Sequence, residues 1–116
     1  MTVARQRLGA IGEDRAAHWY AHQGYEVLAR NWRCRDGEID LICARHRRLV
    51  ICEVKTRSSL AFGHPAEAVT AAKAHKVRSL AAQWLAAGEA PFPPREIRFD
   101  VAAVLPDEVS VIEAAF

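Results

Sequence analysis

A chain of 116 residues makes one domain, with enough material for a single sizeable core and too little for two. Apolar residues at 51%, charged residues at 26% and a net charge of +2 describe an ordinary globular chain, and no stretch approaches the roughly 18 consecutive apolar residues of a membrane span. Three cysteines, Cys34, Cys43 and Cys52, form no C-x-x-C and are odd in number, which argues against a disulfide scaffold and for reduced thiols.

In chain order, Met1 to Arg7 carries basic residues with no apolar run behind them, so no secretory signal is read and a cytoplasmic location is expected. A first helix is predicted from about Gly9 to Gln23, with Gly24 just past its end. Its apolar stripe includes Ala16, Ala17 and Tyr20. Glu13 precedes these by three, four and seven positions and so shares the inward stripe. A carboxylate on a buried face is costly unless it is paired or bound to metal. The helix dipole would favour an early Glu equally well on the outer face, so Glu13 reads as a site residue. His18 and His22 have a spacing that can bind zinc, but they lie away from Glu13 with no acid or thiol beside them and read as a solvated face.

Three strands are predicted next, at roughly Glu26–Trp32, Glu38–Cys43 and Leu49–Thr56, antiparallel because their connections are short. Ala44 to Arg48 is the polar connection of a hairpin. A turn centred on His46 and Arg47, of two or four residues, pairs positions whose numbers sum to 93 and sets Asp40 opposite Glu53. Alternation then puts Lys55 on the face of Glu53 and Glu38 on that of Asp40, while Ile39, Leu41, Cys43, Val50, Cys52 and Val54 supply the core face. Two carboxylates and an ammonium facing one another suit a divalent cation and a phosphate. The alternative is a solvated cluster worth about 0.2–1 kcal/mol per favourable pair.

Ser58 to His64 reads as a loop, and Pro65 suits the first turn of a second helix extending to about Ala87 before Gly88. The inner face of that helix is Val69, Val77, Leu80 and Trp84. Lys73 falls within the same stripe, where it either snorkels or reaches a phosphate. After the stiff Pro91, Pro93 and Pro94 come a strand at Glu96–Leu105, with Ile97, Phe99, Val101, Ala103 and Leu105 inward, and a short one at Val109–Ile112. Trp19, Trp32 and Trp84 read as core. A helix, a three-strand meander, a crossover helix and a further strand give a mixed sheet covered by helices, with the later strand parallel to the one carrying Glu53.

The distribution of charge says more than its total. Between Arg30 and Arg57 lie eight basic residues and four acids, three of the acids being Glu38, Asp40 and Glu53. Lys73, His75, Lys76 and Arg78 form a second basic group with no acid among them, and the tail from Glu89 reverses the balance. Basic charge around a few acids fits a polyanion-binding surface with carboxylates set inside it.

Glu13, Asp40, Glu53 and Lys55, in this order of elements, resemble the PD-(D/E)XK nuclease superfamily and, more closely, the small bacterial YraN-type family of endonuclease-like proteins. The matching segments are Gly12-Glu13-Asp14, Gly24-Tyr25, Arg30 to Arg33, Gly37 to Ile42, Glu53 to Ser58, Phe62-Gly63, Pro65, Glu67 to Val69, Lys73 and Arg98 to Val101, spread over nearly the whole chain. One departure is Ile39, where the superfamily's name has Pro before the aspartate.

The resemblance implies an α/β fold with an αβββαβ restriction-endonuclease-like core, a mixed central sheet flanked by helices in one domain. It implies a metal-dependent DNA endonuclease of bacterial DNA processing, repair or recombination, using Mg²⁺ or Mn²⁺. Asp40, Glu53 and the Val54 carbonyl would hold the metal, consistent with the one or two carboxylates Mg²⁺ usually takes. Such a cation supplies a nucleophilic water near neutral pH and offsets transition-state charge. Lys55 would orient the water or stabilise the transition state, and Glu13 would bind a second metal or hold a metal-bound water. Arg57, Ser58, Lys73 and Lys76 are candidates to grip flanking phosphates. A homodimer would let two sites cut both strands, and a DNA-processing protein is the other partner to expect. The alternative is a non-catalytic nucleic-acid-binding module or adaptor subunit that keeps the fold. Clustered carboxylates repel phosphate and are of no use to a pure binder, which favours the enzyme.

Overall fold

The computed structural model describes residues 3–59 and 69–116. The elements are α1 (Val3–His22), β1 (Glu26–Cys34), β2 (Gly37–Arg45), β3 (Arg48–Thr56), α2 (Ala71–Ala86), β4 (Glu96–Leu105) and β5 (Glu108–Ile112). They form one five-stranded sheet in the order β1-β2-β3-β4-β5. Among the described residues only β3 and β4 pair in parallel, from Arg48↔Glu96 to Thr56↔Val104, as a helical crossover permits. The mixed α/β architecture with helices on both faces is the one expected.

α1 begins about two turns earlier than Gly9, because nothing before Gly9 breaks a helix. It ends where Gly24, at φ 87°, turns left-handed: Gly24 N–H donates to the Ala21 carbonyl and Tyr25 N–H to that of Tyr20, the paired bonds of a Schellman cap. α2 is shorter than predicted. Thr70 caps it by accepting the Lys73 N–H at 3.1 Å, so Val69 precedes the helix and is not on its inner face. Pro65 lies outside the described residues, as do Leu60 to His64 and Glu67-Ala68.

The hairpin connection resolves to two residues, His46 at φ 50° and Arg47 at φ 62°. Left-handed backbone strains both side chains. Arg47 is held there by its guanidinium donating to the Pro93 carbonyl at 3.0 and 3.2 Å and by its own carbonyl accepting from Arg95 N–H. The β2–β3 register runs from Arg45↔Arg48 to Leu41↔Cys52, all summing to 93.

Each face of the sheet carries its own core. Toward α1, Ala16 and Tyr20 pack with Tyr25, Leu41, Cys43, Val50, Cys52, Ala102 and Val104. Toward α2, Val77, Leu80, Ala81 and Trp84 pack with Ile42, Ala44, Leu49, Ile51 and Phe99. The cysteines are free. Trp84 is fully buried, and Trp19 and Trp32 lie against the two cores.

Two expectations fail locally. Ile39 packs toward α2 with its cross-strand partner Trp32, not with Leu41 and Cys43. Asn31 at φ 52° sits beside Trp32, and the β1–β2 pairing passes over the Asn31/Asp40 position, so alternation slips there. β4 was read as having one inward face, yet every residue from Phe99 to Leu105 is buried and Ile97 is exposed. A central strand covered by helices on both faces leaves no solvent side. No helix among the described residues is long and apolar enough to cross a membrane.

Candidate functional site

The β2–β3 pairing stops at Leu41↔Cys52, one step before Asp40 and Glu53. At that step the Asp40 carboxylate replaces a backbone partner, its Oδ2 accepting the Val54 N–H at 2.8 Å. The N–H and C=O of a residue in an extended strand leave on the same edge, so the Val54 carbonyl is turned toward β2 as well. Asp40, Glu53, Glu38 and Gly37 line a cavity of about 230 Å³, closed on the other side by Lys73, Lys76, Val77 and Leu80 of α2. Gly37, at φ 149°, leaves room for the Lys76 stem and Leu80, each of which a Cβ there would crowd at about 3.3–3.4 Å.

Glu53 is buried at 7% exposure. Its Oε1 takes Lys73 Nζ at 3.0 Å and Lys55 Nζ at 3.4 Å. Burial and the neighbouring Glu53 carboxylate push Asp40 up to about 7, against the Val54 N–H that pulls it down. Glu13, Glu38 and Asp40 thus belong to one electrostatic neighbourhood, since both glutamates also raise Asp40. Lys73 is raised by its bond to Glu53.

Glu13 reaches this neighbourhood because Gly12 is buried against β3, where a Cβ would overlap the Thr56 side chain. Burial raises Glu13, opposed by a hydrogen bond from Asn31 and by the Arg30 charge. α1 is pinned to the sheet by Asp14–Arg30 at 2.7 Å, by Arg15 donating to the Leu105 carbonyl at 2.6 Å, and by Tyr20 donating to Asp100 at 2.6 Å.

The predicted residues separate clearly. Asp40, Glu53, Lys55 and Lys73 meet, Glu13 stands near, and Lys76 is on the cavity rim. Arg57 and Ser58 do not line the cavity: Arg57 turns back to the Thr56 carbonyl at 3.0 Å, and Ser58 is exposed. Among the described residues no group of three or more His, Cys, Asp or Glu is gathered as a metal cluster. The donors that fit a cation are the buried Glu53 and half-buried Asp40 carboxylates, whose mutual repulsion a divalent ion would relieve, with a backbone carbonyl beside them.

Sequence reasoning missed the buried Asp100, at 0% exposure. Arg98 grips it with two parallel bonds at 2.9 and 3.0 Å, and Tyr20 and the Ala114 N–H complete its shell. The available signal was two charges, Arg98 and Asp100, spaced for one face of an apolar strand. This cluster serves to hold α1 on β4.

The family described as uncharacterised protein family UPF0102 matches residues 12–104, a span that begins at Gly12 and holds every candidate residue. A UPF0102 protein of Beutenbergia cavernae is 55% identical over 102 residues, covering 88% of this chain and 85% of its own. One of Parafrankia is 54% identical over 99 residues, covering 85% and 82%. One of Moorella thermoacetica is 45% identical over 122 residues and spans both chains in full. None of these names states an activity.

Proposed function

Since this chain belongs to the uncharacterised protein family UPF0102, whose name gives no reaction, we propose a function from the site itself: a metal-dependent nuclease of PD-(D/E)XK type that hydrolyses DNA phosphodiesters in the bacterial cytoplasm. One observation carries this reading. Asp40 and Glu53 face each other where the β2–β3 ladder ends, close enough that Glu53 helps hold a proton on Asp40, with Lys55 and Lys73 at the same carboxylate. A structural ion pair would match charges one to one and leave neither carboxylate in want of a cation.

Asp40, Glu53 and the Val54 carbonyl would hold Mg²⁺ or Mn²⁺, which when bound supplies a nucleophilic water and offsets charge on the transition state. The residues of the chain do the rest. Asp40 is fixed by the Val54 N–H in the wall of the cavity, with its other oxygen left for a cation. Lys55, two residues beyond Glu53 on β3, directs an ammonium to where phosphate charge develops. Glu13, raised by burial, lies in the electrostatic neighbourhood of Asp40 and can exchange a proton with water there. Lys76 and Lys73 present cations to the flanking phosphates.

A second reading, a nucleic-acid-binding module that keeps the fold, is favoured by one fact: Glu53 already has two ammonium partners, and among the described residues no third carboxylate gathers with the pair as a metal-ligand group. Linear, nicked, flapped and branched DNA incubated with Mg²⁺ or Mn²⁺ decides between them. Cleavage by the wild type that is lost on chelation and in Asp40→Asn supports the nuclease. Binding without cleavage on every substrate and with both metals supports the module.

A further inference from the structure

The first turn of α2 delivers a second lysine to the carboxylates. Lys73 Nζ lies 3.0 Å from Glu53 Oε1, the same oxygen that Lys55 approaches at 3.4 Å, and the Glu53 side chain is 9% exposed. Two ammonium groups therefore share one enclosed carboxylate oxygen. They are not equivalent. The Lys55 side chain is 19% exposed and rises from the same strand as Glu53, whereas that of Lys73 is 40% exposed and crosses from another element. Lys73 can withdraw to solvent by rotating its own stem, with no movement of the sheet.

Resting on the nuclease reading, we infer that Lys73 is an internal counter-cation. It neutralises Glu53 in the metal-free protein and gives way when a divalent ion arrives. A dication arriving at an oxygen that already carries two ammonium groups is repelled by both at a few ångströms, and withdrawal of one of them relieves part of that repulsion. The more mobile cation leaves. Once displaced, Lys73 stands at the cavity rim beside Lys76, where a phosphate of the substrate is its natural partner. Metal and DNA then favour each other's binding, and by linkage the coupling is the same in both directions. The protein holds metal weakly until a polyanion takes up the freed lysine, so hydrolytic water is generated mainly on bound DNA.

The test measures Mn²⁺ binding without DNA, by electron paramagnetic resonance of the free ion, on wild type, Lys73→Met, Lys73→Arg and Lys76→Met, followed by single-turnover cleavage at saturating Mn²⁺. Lys73→Met should bind Mn²⁺ about tenfold more tightly or better, the scale on which one neighbouring charge moves a carboxylate's proton affinity. It should nonetheless cleave more slowly. Lys73→Arg should return the affinity toward wild type, and Lys76→Met should tighten binding far less. A merely structural lysine would not improve metal binding when removed. Equal or weaker Mn²⁺ binding by Lys73→Met, or equal tightening by Lys76→Met, overturns the role of Lys73 while leaving the nuclease reading in place. Folded protein that binds no Mn²⁺ in any form overturns both.

Discussion

Replacing Asp40 by Asn should stabilise the metal-free protein above neutral pH and do almost nothing in acid. Asp40 rises from its ordinary 3.8 to about 7 in the folded chain, with burial the larger cause and Glu53 the next. Below about pH 4 both folded and unfolded states carry the proton. Between about pH 4 and pH 7 the unfolded chain releases it and the folded one retains it, so stability falls as pH rises and levels off above about 7. Each tenfold change in proton affinity is worth about 1.4 kcal/mol, which sets a ceiling of about 4 kcal/mol on the loss. Asp40 is only half-buried, so water screens part of its charge and about 2 kcal/mol is the expected value. Asn keeps an oxygen for the Val54 N–H and has no proton to lose. In chelator, Asp40→Asn should melt with the wild type near pH 4 and about 8 °C above it at pH 8. Mn²⁺ at a hundredfold excess over its dissociation constant should return about 2.7 kcal/mol to the wild type and little to the variant. Parallel melting curves for the two proteins across this pH range in chelator would refute the reasoning, and with it the enclosed pair of carboxylates.

Lys55→Ala should abolish DNA cleavage while leaving the fold intact by circular dichroism; wild-type turnover in that variant would remove Lys55 from the site. Tyr20→Phe takes a donor from the fully buried Asp100 and should cost about 2 kcal/mol in urea unfolding, whereas a loss under about 0.5 kcal/mol would mean the Tyr20–Asp100 bond contributes little. Gly12→Ala should destabilise by about 1–3 kcal/mol despite alanine's advantage of about 1 kcal/mol in a helix, with most of the loss recovered by adding Thr56→Ala; a stabilised Gly12→Ala would show that α1 does not close on Thr56. DNA affinity should fall steeply with salt as counterions are released, and a salt-independent affinity would point to a protein partner.

The hairpin was legible because its arithmetic is local. A polar turn between apolar runs fixed the 93 register, and alternation carried Asp40, Glu53 and Lys55 to one place. The parallel pairing of β3 and β4 followed from the length of the crossover. What could not be read is where the strand pattern breaks. Nothing in Arg30-Asn31-Trp32 announces the left-handed Asn31 that sends Ile39 across the sheet, since Asn tolerates that backbone in many contexts and demands it in none. Lys73 remained ambiguous because a helix period gives its face but not how far the chain before it brings the helix down onto β3. Asp100 was hidden by the apolar residues around it, which argued for a one-faced strand when both faces were to be covered. Arg57 stood in a promising place, two residues past Lys55, and its side chain turned back onto the Thr56 carbonyl.

The pins on α1 bear on how the molecule comes into being. Tyr20 meets a partner 80 residues further along the chain, and Arg15 one that is 90 residues away. β3, which carries Glu53 and Lys55, takes its longest ladder from β4, the nine pairs ending at Thr56↔Val104. No residue of the candidate site lies beyond Leu80, yet the strand that seats them is not translated until Glu96 and beyond. A nascent chain on the ribosome therefore owns all the side chains long before it owns the scaffold, and ordering them must wait for contacts of high sequence separation, which form slowly. The same dependence ties the cavity to the whole chain: a translation product interrupted before β4 lacks the strand on which β3 and its carboxylate are seated.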